Sequence, residues 1–440
     1  MGDIRALEPP TAVEPGDAVV VGAGIVGVCC ALSLQAEGFR VLLLDRADPG
    51  EGCSKGNAGH IATEHITPLS SPQTILQVPR MLLQANGPLT VRWSYLPTLL
   101  PWLVRFLFAG RPRRVAAATR ALAALNRRAL GAYDALAEVI DIDGLFRKDG
   151  TLLVCESRRG LREAGAQVST LQRFGVQCEP LSSAELQRFD PALAGHLKGG
   201  IFFPDSAHVV DPHDLVRQLV NAFRRRGGVL LRAHVEDIHS DGSTCRVVTQ
   251  QTTLKAALAV IAAGAWSGSL AAQLGHAVPL DTERGYHFML LDPSLRPRVP
   301  TSCHEQRFVM TPMEHGLRIA GRVELAGLDA PINPARSTQL LDLARKVLPA
   351  LSSTRNETWM GFRPTLPDSL PVIDRGRHCP NVLFAFGHHH LGLTQAAITG
   401  VLIADLAQER PASVDLQPFR IDRFGGSYRY RPRERHPALD

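Results

Sequence analysis

The sequence lacks several features that would assign it to other classes of protein. Its eight cysteines form no Cys-x-x-Cys pair, which excludes zinc knuckles and redox dithiols of that form and fits a reducing compartment. Residues 1–16 contain charged residues and prolines but no apolar segment, so no secretory signal is predicted there. No RNA-binding motif and no basic platform interleaved with aromatic residues is present. We therefore expect a cytoplasmic protein without a nucleic-acid partner.

Long uncharged apolar runs are also scarce, and the most apolar aromatic stretch covers residues 93–110. Its two prolines and Arg105 argue against a membrane-spanning helix. The stretch runs into Arg111, Arg113 and Arg114, which favours peripheral contact with the inner face of the cytoplasmic membrane. A helix packed on its own domain is the alternative interpretation.

The composition is that of an ordinary globular protein. The chain has 440 residues, of which 45% are hydrophobic and 20% charged, so it is long enough for two domains. A formal net charge of +6 is compatible with an anionic substrate, a membrane surface or simply a solubilising surface.

The strongest local pattern is a strand, a glycine turn, a helix and a second strand near the N-terminus. Val19–Val21 suit a buried parallel strand, and Gly22, Gly24 and Gly27 follow it in the order Gly-x-Gly-x-x-Gly. The first glycine permits a tight turn, the second lets backbone approach a pyrophosphate, and the third lets the helix pack closely on the sheet. Asp45 ends the second strand, where a carboxylate accepts hydrogen bonds from ribose hydroxyls. The pattern predicts a site for the ADP half of a dinucleotide at a helix N-terminus.

The middle of the chain predicts a return to the same sheet. Asp211-Pro212 is typical of a capped helix start, and the helix has one apolar face. Strands are predicted at 229–232, 235–238 and 256–263. The last strand brings Ala263-Gly264-Ala-Trp266 to a carboxyl strand end, where open α/β sheets bind ligands.

The C-terminal part repeats the pattern of strand, glycine turn and helix. Val382–Phe386 predict a strand, 387–394 a turn, and 395–407 a helix whose N-terminus could face the same ligand. His388, His389 and His390 stand in this turn. Because adjacent side chains point in different directions and no carboxylate or cysteine is close in sequence, no metal site is predicted.

These segments, in this order, resemble the glycine oxidase and D-amino-acid dehydrogenase branch of the FAD-dependent D-amino-acid oxidase superfamily. Six islands carry the resemblance: Gly22-x-Gly24-x-x-Gly27 with Asp45; Ser54 with Asn57-Ala-Gly59; Asp211-Pro212; Ala263-Gly264-Ala-Trp266; Gly361-x-Arg363-Pro364 to Pro367-Asp368; and Gly387-His388 to Gly392-Leu393-Thr394.

The resemblance implies an α/β fold class with an α+β second domain. We expect a discontinuous Rossmann-like FAD-binding domain and a mixed-sheet substrate-binding domain. The expected ranges are 17–65, 205–283 and 355–425 for the first, 66–204 and 284–354 for the second, and 1–16 and 426–440 for two tails.

The cofactor implied by the resemblance is FAD, bound non-covalently because no cysteine stands near the Arg-Pro motif. Members usually carry Glu at the ribose position, so Asp45 is a shorter variant. The expected contacts are Gly22, Ala23, Gly24, Ile25, Val26, Gly27, Asp45, Arg46, Ser54, Asn57, Ala58, Gly59, His60, Val235, Ala263, Gly264, Trp266, Gly361, Gly387, His388, Leu391, Gly392, Leu393 and Thr394.

For the substrate, the resemblance implies that Arg363 binds an α-carboxylate, supported by Tyr286. A guanidinium suits this role because it holds a carboxylate by two parallel hydrogen bonds. His390 stands where glycine oxidases place a second pocket arginine, and its imidazole can donate or accept one hydrogen bond to a hydroxyl. A structural arginine and a core tyrosine are the alternative interpretations.

The implied reaction is oxidation of a D-amino acid by hydride transfer from Cα to flavin N5, giving an imine and then a 2-oxo acid. The islands at 56–63 and 387–394 look most like members that oxidise cis-4-hydroxy-D-proline, so that compound or D-proline is one expectation. Broad D-amino-acid dehydrogenation and glycine or sarcosine oxidation are alternatives. The acceptor is O₂ or a quinone, and the oligomeric state stays open. One alternative is a nicotinamide dehydrogenase, which would leave the second glycine turn unused. Another, from a different functional class, is a flavin-binding module that is non-catalytic or modifies RNA.

Overall fold

The computed structural model describes residues 17–84 and 87–425, so both predicted tails lie outside it. The strands are β1 Asp17–Val21, β2 Arg40–Asp45, β3 His60–Ile61, β4 Leu89–Val91, β5 Phe146–Arg147, β6 Thr151–Cys155, β7 Glu179–Ser182, β8 Gly199–Phe203, β9 Ala207–Val209, β10 Val229–Arg232, β11 Val235–Ser240, β12 Cys245–Thr249, β13 Thr253–Ala256, β14 Leu258–Ile261, β15 Asp281–Leu290, β16 Thr301–Cys303, β17 Phe308–Met313, β18 Gly316–Leu325, β19 Asn356–Thr365, β20 Val372–Arg375 and β21 Val382–Phe386. The α-helices are α1 Ile25–Ala36, α2 Pro72–Leu83, α3 Leu96–Ala109, α4 Pro112–Asn126, α5 Ala129–Ala137, α6 Arg158–Arg173, α7 Ser183–Phe189, α8 Pro212–Arg225, α9 Ser267–Gln273, α10 Ala335–Val347 and α11 Gly392–Ala407.

The predicted Rossmann-like sheet is present, with six strands in the order β10-β2-β1-β14-β21-β20. Its first five strands are parallel, and β20 runs antiparallel to β21. Val19 of β1 lies opposite Leu42 on one side and Ala259 on the other. Because β2 and β14 flank β1, the crevice outside the carboxyl end of β1 is a topological switch point, where such sheets bind ligands.

Both faces of this sheet are covered, which explains why its strands are apolar on both sides. Helices α1, α8 and α11 pack on one face, and α1 lies between the other two. The three-stranded sheet β11-β12-β13 and helix α9 cover the opposite face. The segment Val235–Ile238 therefore forms part of this small covering sheet and not of the six-stranded one.

The start of α8 and the break between α4 and α5 show how helix limits arise in this chain. Asp211 caps α8 as predicted, since its Oδ1 accepts hydrogen bonds from the backbone N–H groups of His213 and Asp214 at 3.0 Å. The Ala- and Leu-rich segment that follows α3 forms two helices, α4 and α5, with a break at Arg127 and Arg128.

The second large sheet has nine strands in the order β19-β15-β18-β17-β16-β6-β8-β7, with β4 added parallel to β18. Its three longest strands, β19, β15 and β18, are antiparallel neighbours. Helix α10 covers one face, where Leu340 and Val347 pack with Phe288 and Ile319. The mixed sheet is the α+β half that the resemblance implied.

Sheet membership differs from the expected ranges at one boundary. Residues 355–425 were assigned to the FAD-binding part, yet β19 pairs with β15 from Asn356 to Thr365. Within the range 355–425, only the part after Thr365 therefore contributes strands to the six-stranded sheet. In addition, α4 and α5, from the range 66–204, pack on α11 of the FAD-binding half.

Helix α11 and the turn before it, His389–Ala407, are long and apolar enough to cross a membrane, with a mean hydropathy of 1.3. However, 72% of the segment is buried within the protein. Tyr133 of α5 donates a hydrogen bond to the carbonyl of Leu393 at 2.7 Å, so α11 is a core helix of this fold.

Candidate active site

The glycine turn after β1 is shaped by backbone contacts. Gly22 has a φ of +109°, and a Cβ there would lie 2.4 Å from the carbonyl oxygen of Ala262. A Cβ on Gly27 would lie 1.8 Å from the Gly22 carbonyl oxygen, so α1 approaches the strand too closely for any side chain. Gly24 differs, because its nearest neighbour would be Ser54 Oγ at 3.4 Å. The turn is thus closed toward the sheet at two glycines and open toward the crevice at the third.

Asp45 fixes the geometry around this turn. One carboxylate oxygen accepts a hydrogen bond from the backbone N–H of Ala23 at 2.6 Å, and the other accepts from that of Ala47 at 3.0 Å. Each oxygen has a second lone pair available for a ribose hydroxyl. Beside it, the Arg46 guanidinium lies 3.7 Å from the ring centre of Trp266, which brings two predicted contacts together.

The loop after β2 is held between the two large sheets. Asn57 Oδ1 accepts a hydrogen bond from the Gly59 N–H at 2.9 Å, which tightens the loop. His287 Nδ1 of β15 lies 3.0 Å from the Gly56 carbonyl, and Arg318 of β18 donates to the Asn57 carbonyl at 2.6 Å. Contacts from the nine-stranded sheet therefore position the loop that was expected near the flavin ring.

The second glycine turn closes the other side of the crevice. Gly387 has a φ of +81°, and His389 has a φ of +59°, which is uncommon for a residue with a side chain and is often found at functional sites. His388 Nε2 lies 3.0 Å from Thr399 Oγ1 of α11, and burial lowers the pKa of His388 to about 3. Thr394 accepts a hydrogen bond from the Ala62 N–H at 3.0 Å, which joins α11 to the loop after β3.

One continuous cleft of about 4300 Å³ connects these elements. Ligand pockets commonly measure about 300–1000 Å³, so the cleft has room for a dinucleotide and a substrate. Most of the predicted cofactor contacts line it: Gly22, Gly24, Ile25, Val26, Asp45, Arg46, Ser54, Asn57, Ala58, His60, Val235, Ala263, Gly264, Trp266, Gly361, Gly387, His388, Gly392 and Leu393. Ala23, Gly27, Gly59, Leu391 and Thr394 lie behind its wall and shape it without lining it.

Arg363 lies in the cleft on β19, opposite Glu283 of β15. A Cβ on Gly285 would meet the Arg363 guanidinium at 2.5 Å, so the glycine provides the space in which the guanidinium lies. Within residues 17–84 and 87–425, Arg363 makes no hydrogen bond and no ion pair within 4.0 Å, although its charge contributes to lowering the pKa of the neighbouring Glu283. The guanidinium is therefore available to a carboxylate ligand.

The hydroxyl of Tyr286 has its partners on the face of β15 opposite Arg363. Its hydroxyl donates to Glu324 Oε2 at 2.5 Å and accepts from the Asn333 N–H at 3.4 Å. Successive side chains of a strand point to opposite faces, so Tyr286 lies across the strand from the Gly285 position that faces Arg363. Burial, followed by the Glu324 contact, raises the pKa of Tyr286 to about 12. The hydroxyl is therefore engaged on the face of β15 opposite Arg363, although Tyr286 also borders the cleft, and its support of the carboxylate contact stays a prediction.

His390 lies in a row of titratable groups at the substrate end of the cleft. Its Nε2 is 3.3 Å from His65 Nδ1, and its Nδ1 is 3.1 Å from His389 Nδ1. His389 Nε2 in turn lies 3.3 Å from Glu283 Oε1. Burial, followed by the neighbouring His389 and His65, lowers the pKa of His390 well below its usual value. A neutral imidazole is therefore present in the cleft.

The row contains groups that the sequence analysis missed, namely Glu64, His65, Glu283 and His389. Glu64 is buried beside His60 and His65, with Oε1 3.0 Å from His60 Nε2. Burial opposes ionisation of Glu64, but the two histidines and Ser206 outweigh it and hold the pKa at about 2. The sequence signal was the pair Glu64-His65, within five residues of His60. It indicates a cluster only when the loop is known to bring Glu64 next to His60.

With this geometry in hand, comparison with known proteins assigns the family. The model of the DAO family, described as FAD dependent oxidoreductase, matches residues 17–406. The chain belongs to this family. A D-amino-acid oxidase of Bradyrhizobium diazoefficiens is 35% identical over 414 residues, covering 92% of this chain and 98% of that protein. A D-amino acid dehydrogenase of Paramagnetospirillum magneticum is 32% identical over 428 residues, covering 92% and 98%.

Solved structures agree on the fold. Glycine oxidase from Geobacillus kaustophilus superposes with a TM-score of 0.72 at 23% identity, covering 92% of this chain and 98% of that one. L-proline dehydrogenase from P. horikoshii gives a TM-score of 0.71 at 17% identity, covering 94% and 98%. The implied fold is thereby confirmed, and the family match confirms FAD as the cofactor.

The protein is a DAO-family oxidoreductase that uses FAD to oxidise amino acids. The residues present fit this cofactor, because Gly24, at the start of α1, leaves open the space that a Cβ would fill. Ser54, another predicted contact, lies at the same helix start, where its Oγ accepts a hydrogen bond from the Ile25 N–H at 3.0 Å. Bound there, FAD supplies the hydride acceptor. No cysteine lies between Gly361 and Asp368, in keeping with non-covalent binding.

Proposed function

We propose that this protein oxidises D-amino acids, with a compact cyclic imino acid such as cis-4-hydroxy-D-proline or D-proline as its preferred substrate. The D-configuration is supported by the names of the curated relatives, which are D-amino-acid oxidase and D-amino acid dehydrogenase. The observation that carries the proposal is the unpaired Arg363 guanidinium in the cleft, since it matches the two oxygens of an α-carboxylate.

The chain orients the substrate by two contacts in this proposal. Arg363 fixes the carboxylate through parallel hydrogen bonds, so that the Cα–H points into the cleft. His390, neutral because of its depressed pKa, exchanges its contact with His65 or His389 for a hydrogen bond to a ring hydroxyl or to the amine. No dedicated base is needed when the substrate amine has lost its proton beforehand. Broad D-amino-acid dehydrogenation and glycine or sarcosine oxidation are the competing specificities.

The test is anaerobic reduction of the bound flavin by D-proline, cis-4-hydroxy-D-proline, D-alanine, glycine and L-proline, followed by kcat/KM for each active compound. The proposal expects the cyclic D-compounds to lead. A preference for D-alanine of tenfold or more, roughly 1.4 kcal/mol in transition-state binding, would overturn the ring hypothesis. Reduction by L-proline alone would overturn the D-configuration.

We further propose that the electron acceptor is a membrane quinone and that the protein is cytoplasmic, with peripheral contact at the inner face of the membrane. Exposed large hydrophobic side chains concentrate on the segment 76–108. They are Leu76, Leu82, Leu83, Trp93, Leu100, Val104, Leu107 and Phe108, and the other exposed large hydrophobic side chains of the described residues are Val139, Val229, Ile332 and Val401. The exposed Arg111, Arg113 and Arg114 follow directly, which suits an anionic bilayer.

Flotation with anionic and neutral liposomes tests this contact. Anionic liposomes are expected to carry the protein at low salt, and Arg113→Glu with Arg114→Glu to abolish flotation. The matched control is Arg224→Glu with Arg225→Glu, an exposed basic pair at the end of α8. Reoxidation of the reduced flavin by a soluble quinone and by O₂ separates the two acceptors. Absence of flotation would favour intramolecular packing of 93–114, and faster reoxidation by O₂ would contradict the quinone.

A further inference from the structure

Three potential metal ligands converge at the wall of the cleft. His60 Nε2, one Glu64 oxygen and one ring nitrogen of His65 lie within 4.8 Å of one another. Glu64 Oε1 is 3.0 Å from His60 Nε2 and 3.6 Å from His65 Nε2. A four-coordinate ion with bonds of about 2.0–2.2 Å places neighbouring ligand atoms roughly 3.3–3.6 Å apart. Of the two separations, that of 3.6 Å matches such an ion, and that of 3.0 Å requires a shift of a few tenths of an ångström.

The His60 nitrogen has no other partner that satisfies it. The His60 side chain is only 8% exposed, and its Nε2 is buried without a hydrogen bond to any described residue. Glu64 Oε1 lies 3.0 Å from it, a close polar contact that does not have the geometry of a hydrogen bond. A buried polar atom without a partner costs about 1–3 kcal/mol. A metal ion between the ligands would satisfy this nitrogen.

A second layer of contacts orients the ligands. Glu64 Oε2 accepts a hydrogen bond from Ser206 Oγ at 2.7 Å, which leaves Oε1 directed toward the two histidines. His65 Nδ1 lies 3.3 Å from His390 Nε2, which leaves its Nε2 as the ligand atom. Metal-binding histidines and carboxylates are regularly held by such partners. His65 is 43% exposed and lines the cleft, so the site is accessible.

A second group of possible ligands, Glu156, Cys303 and Glu305, shows the contrast. There the Glu305 carboxylate accepts hydrogen bonds from the Glu156 N–H and from the N–H and hydroxyl of Ser157. Its oxygens are already satisfied by the protein. Of these two groups within the described residues, only the one at His60 combines short separations with a buried nitrogen that lacks a hydrogen bond.

We propose that His60, Glu64 and His65 bind one divalent first-row transition-metal ion, with Zn²⁺ as the representative. Two imidazoles and one carboxylate suit Zn²⁺, Co²⁺, Ni²⁺ and Fe²⁺, and three protein ligands leave a coordination position open toward the cleft. The site differs from the run His388–His390, for which the sequence predicts no metal. The proposal does not depend on which substrate is oxidised, although His65 contacts His390, the residue proposed to orient the substrate.

Equilibrium dialysis of the untagged, FAD-loaded protein against Zn²⁺, after removal of metal with a chelator, tests the site. About one Zn²⁺ per chain is expected. His60→Gln and His65→Gln should each weaken binding at least tenfold, within the range of 10- to 100-fold known for disturbed metal sites. His239→Gln is the matched control, because His239 Nε2 lies 3.1 Å from Asp237 Oδ2 in an exposed pair without a third ligand. The His239→Gln variant should bind Zn²⁺ as tightly as the unchanged protein does.

FAD content and flavin reduction by D-proline are measured on the same samples. Loss of Zn²⁺ binding in His65→Gln with flavin content retained supports the site, whereas binding that is absent from the unchanged protein, or unaltered in both cluster variants, overturns it. Should His60→Gln fail to fold, the half-exposed His65→Gln decides. Failure of flavin reduction with Zn²⁺ binding intact would count against the proposed substrate and not against the metal site.

Discussion

The two ends of the cleft hold their groups by different means. At the end beside β1, the shape comes from backbone, because Gly22 and Gly27 contact carbonyl groups and Asp45 binds two N–H groups. At the other end, the shape comes from side chains. Arg363 belongs to β19, His389 and His390 to the turn before α11, and His65 to the loop after β3. Substitution should therefore affect folding or FAD binding at the first end, and substrate binding or pH response at the second.

The largest effect is expected from Gly27→Ala. The added Cβ would meet the Gly22 carbonyl oxygen at 1.8 Å, and backbone on both sides cannot move aside. Overpacking usually costs about 1–3 kcal/mol, so a clash with backbone should cost at least about 3 kcal/mol. Urea unfolding or the yield of soluble protein measures it. Gly131→Ala in α5 is the control, since nothing lies within 4 Å of its Cβ and it should gain about 0.5–1 kcal/mol. Equal stability of the two variants would refute the close approach.

Gly24→Val should separate FAD binding from folding. Its Cβ would have only Ser54 Oγ nearby, at 3.4 Å, so the polypeptide can fold, but a branched side chain fills the space that the pyrophosphate needs. We expect normal circular dichroism with flavin absorbance lost. Gly144→Val, at an exposed glycine without close neighbours, should keep its flavin. Full flavin content in Gly24→Val would show that the phosphate does not bind at this turn.

The sequence was sufficient for the first end of the cleft because that end is contiguous. A strand, three glycines and an acidic residue within 17–45 specify their own contacts, and the strands at 229–232 and 382–386 have the predicted limits. The second end depends on strand register. Arg363 faces Gly285 and Glu283 only through the pairing of β15 with β19, and the same pairing turns Tyr286 to the other face. Neither partner is close in sequence, so local patterns did not reveal Glu283 or the partner of the Tyr286 hydroxyl.

His388 tests the acid sensitivity of the second end. Its pKa of about 3 in the folded state lies below the ordinary value of 6.5, so the unfolded chain binds the proton more tightly. Stability contributed by the neutral ring is complete above pH 6.5 and is lost as the pH falls toward 3. His388→Gln should reduce the pH slope of the unfolding free energy by up to about 1.4 kcal/mol per pH unit, or about 3 kcal/mol between pH 6.5 and 4. Urea midpoints across this range provide the measurement, and a slope identical to that of the unchanged protein would contradict the burial of an uncharged His388.

Arg363→Lys should produce the smallest change, confined to substrate binding. Lysine keeps the positive charge but cannot form two parallel hydrogen bonds with a carboxylate, so KM should rise while FAD stays bound. A charged hydrogen bond contributes about 1.5–3 kcal/mol, which corresponds to a rise of roughly 10- to 150-fold. Arg355→Lys, at an exposed arginine just before β19, is the control and should leave KM unchanged. If KM for the best substrate stays the same in Arg363→Lys, the carboxylate binds elsewhere in the cleft. A loss of flavin instead would mean that Arg363 acts on the cofactor end, and the division of the cleft into a backbone end and a side-chain end would fail.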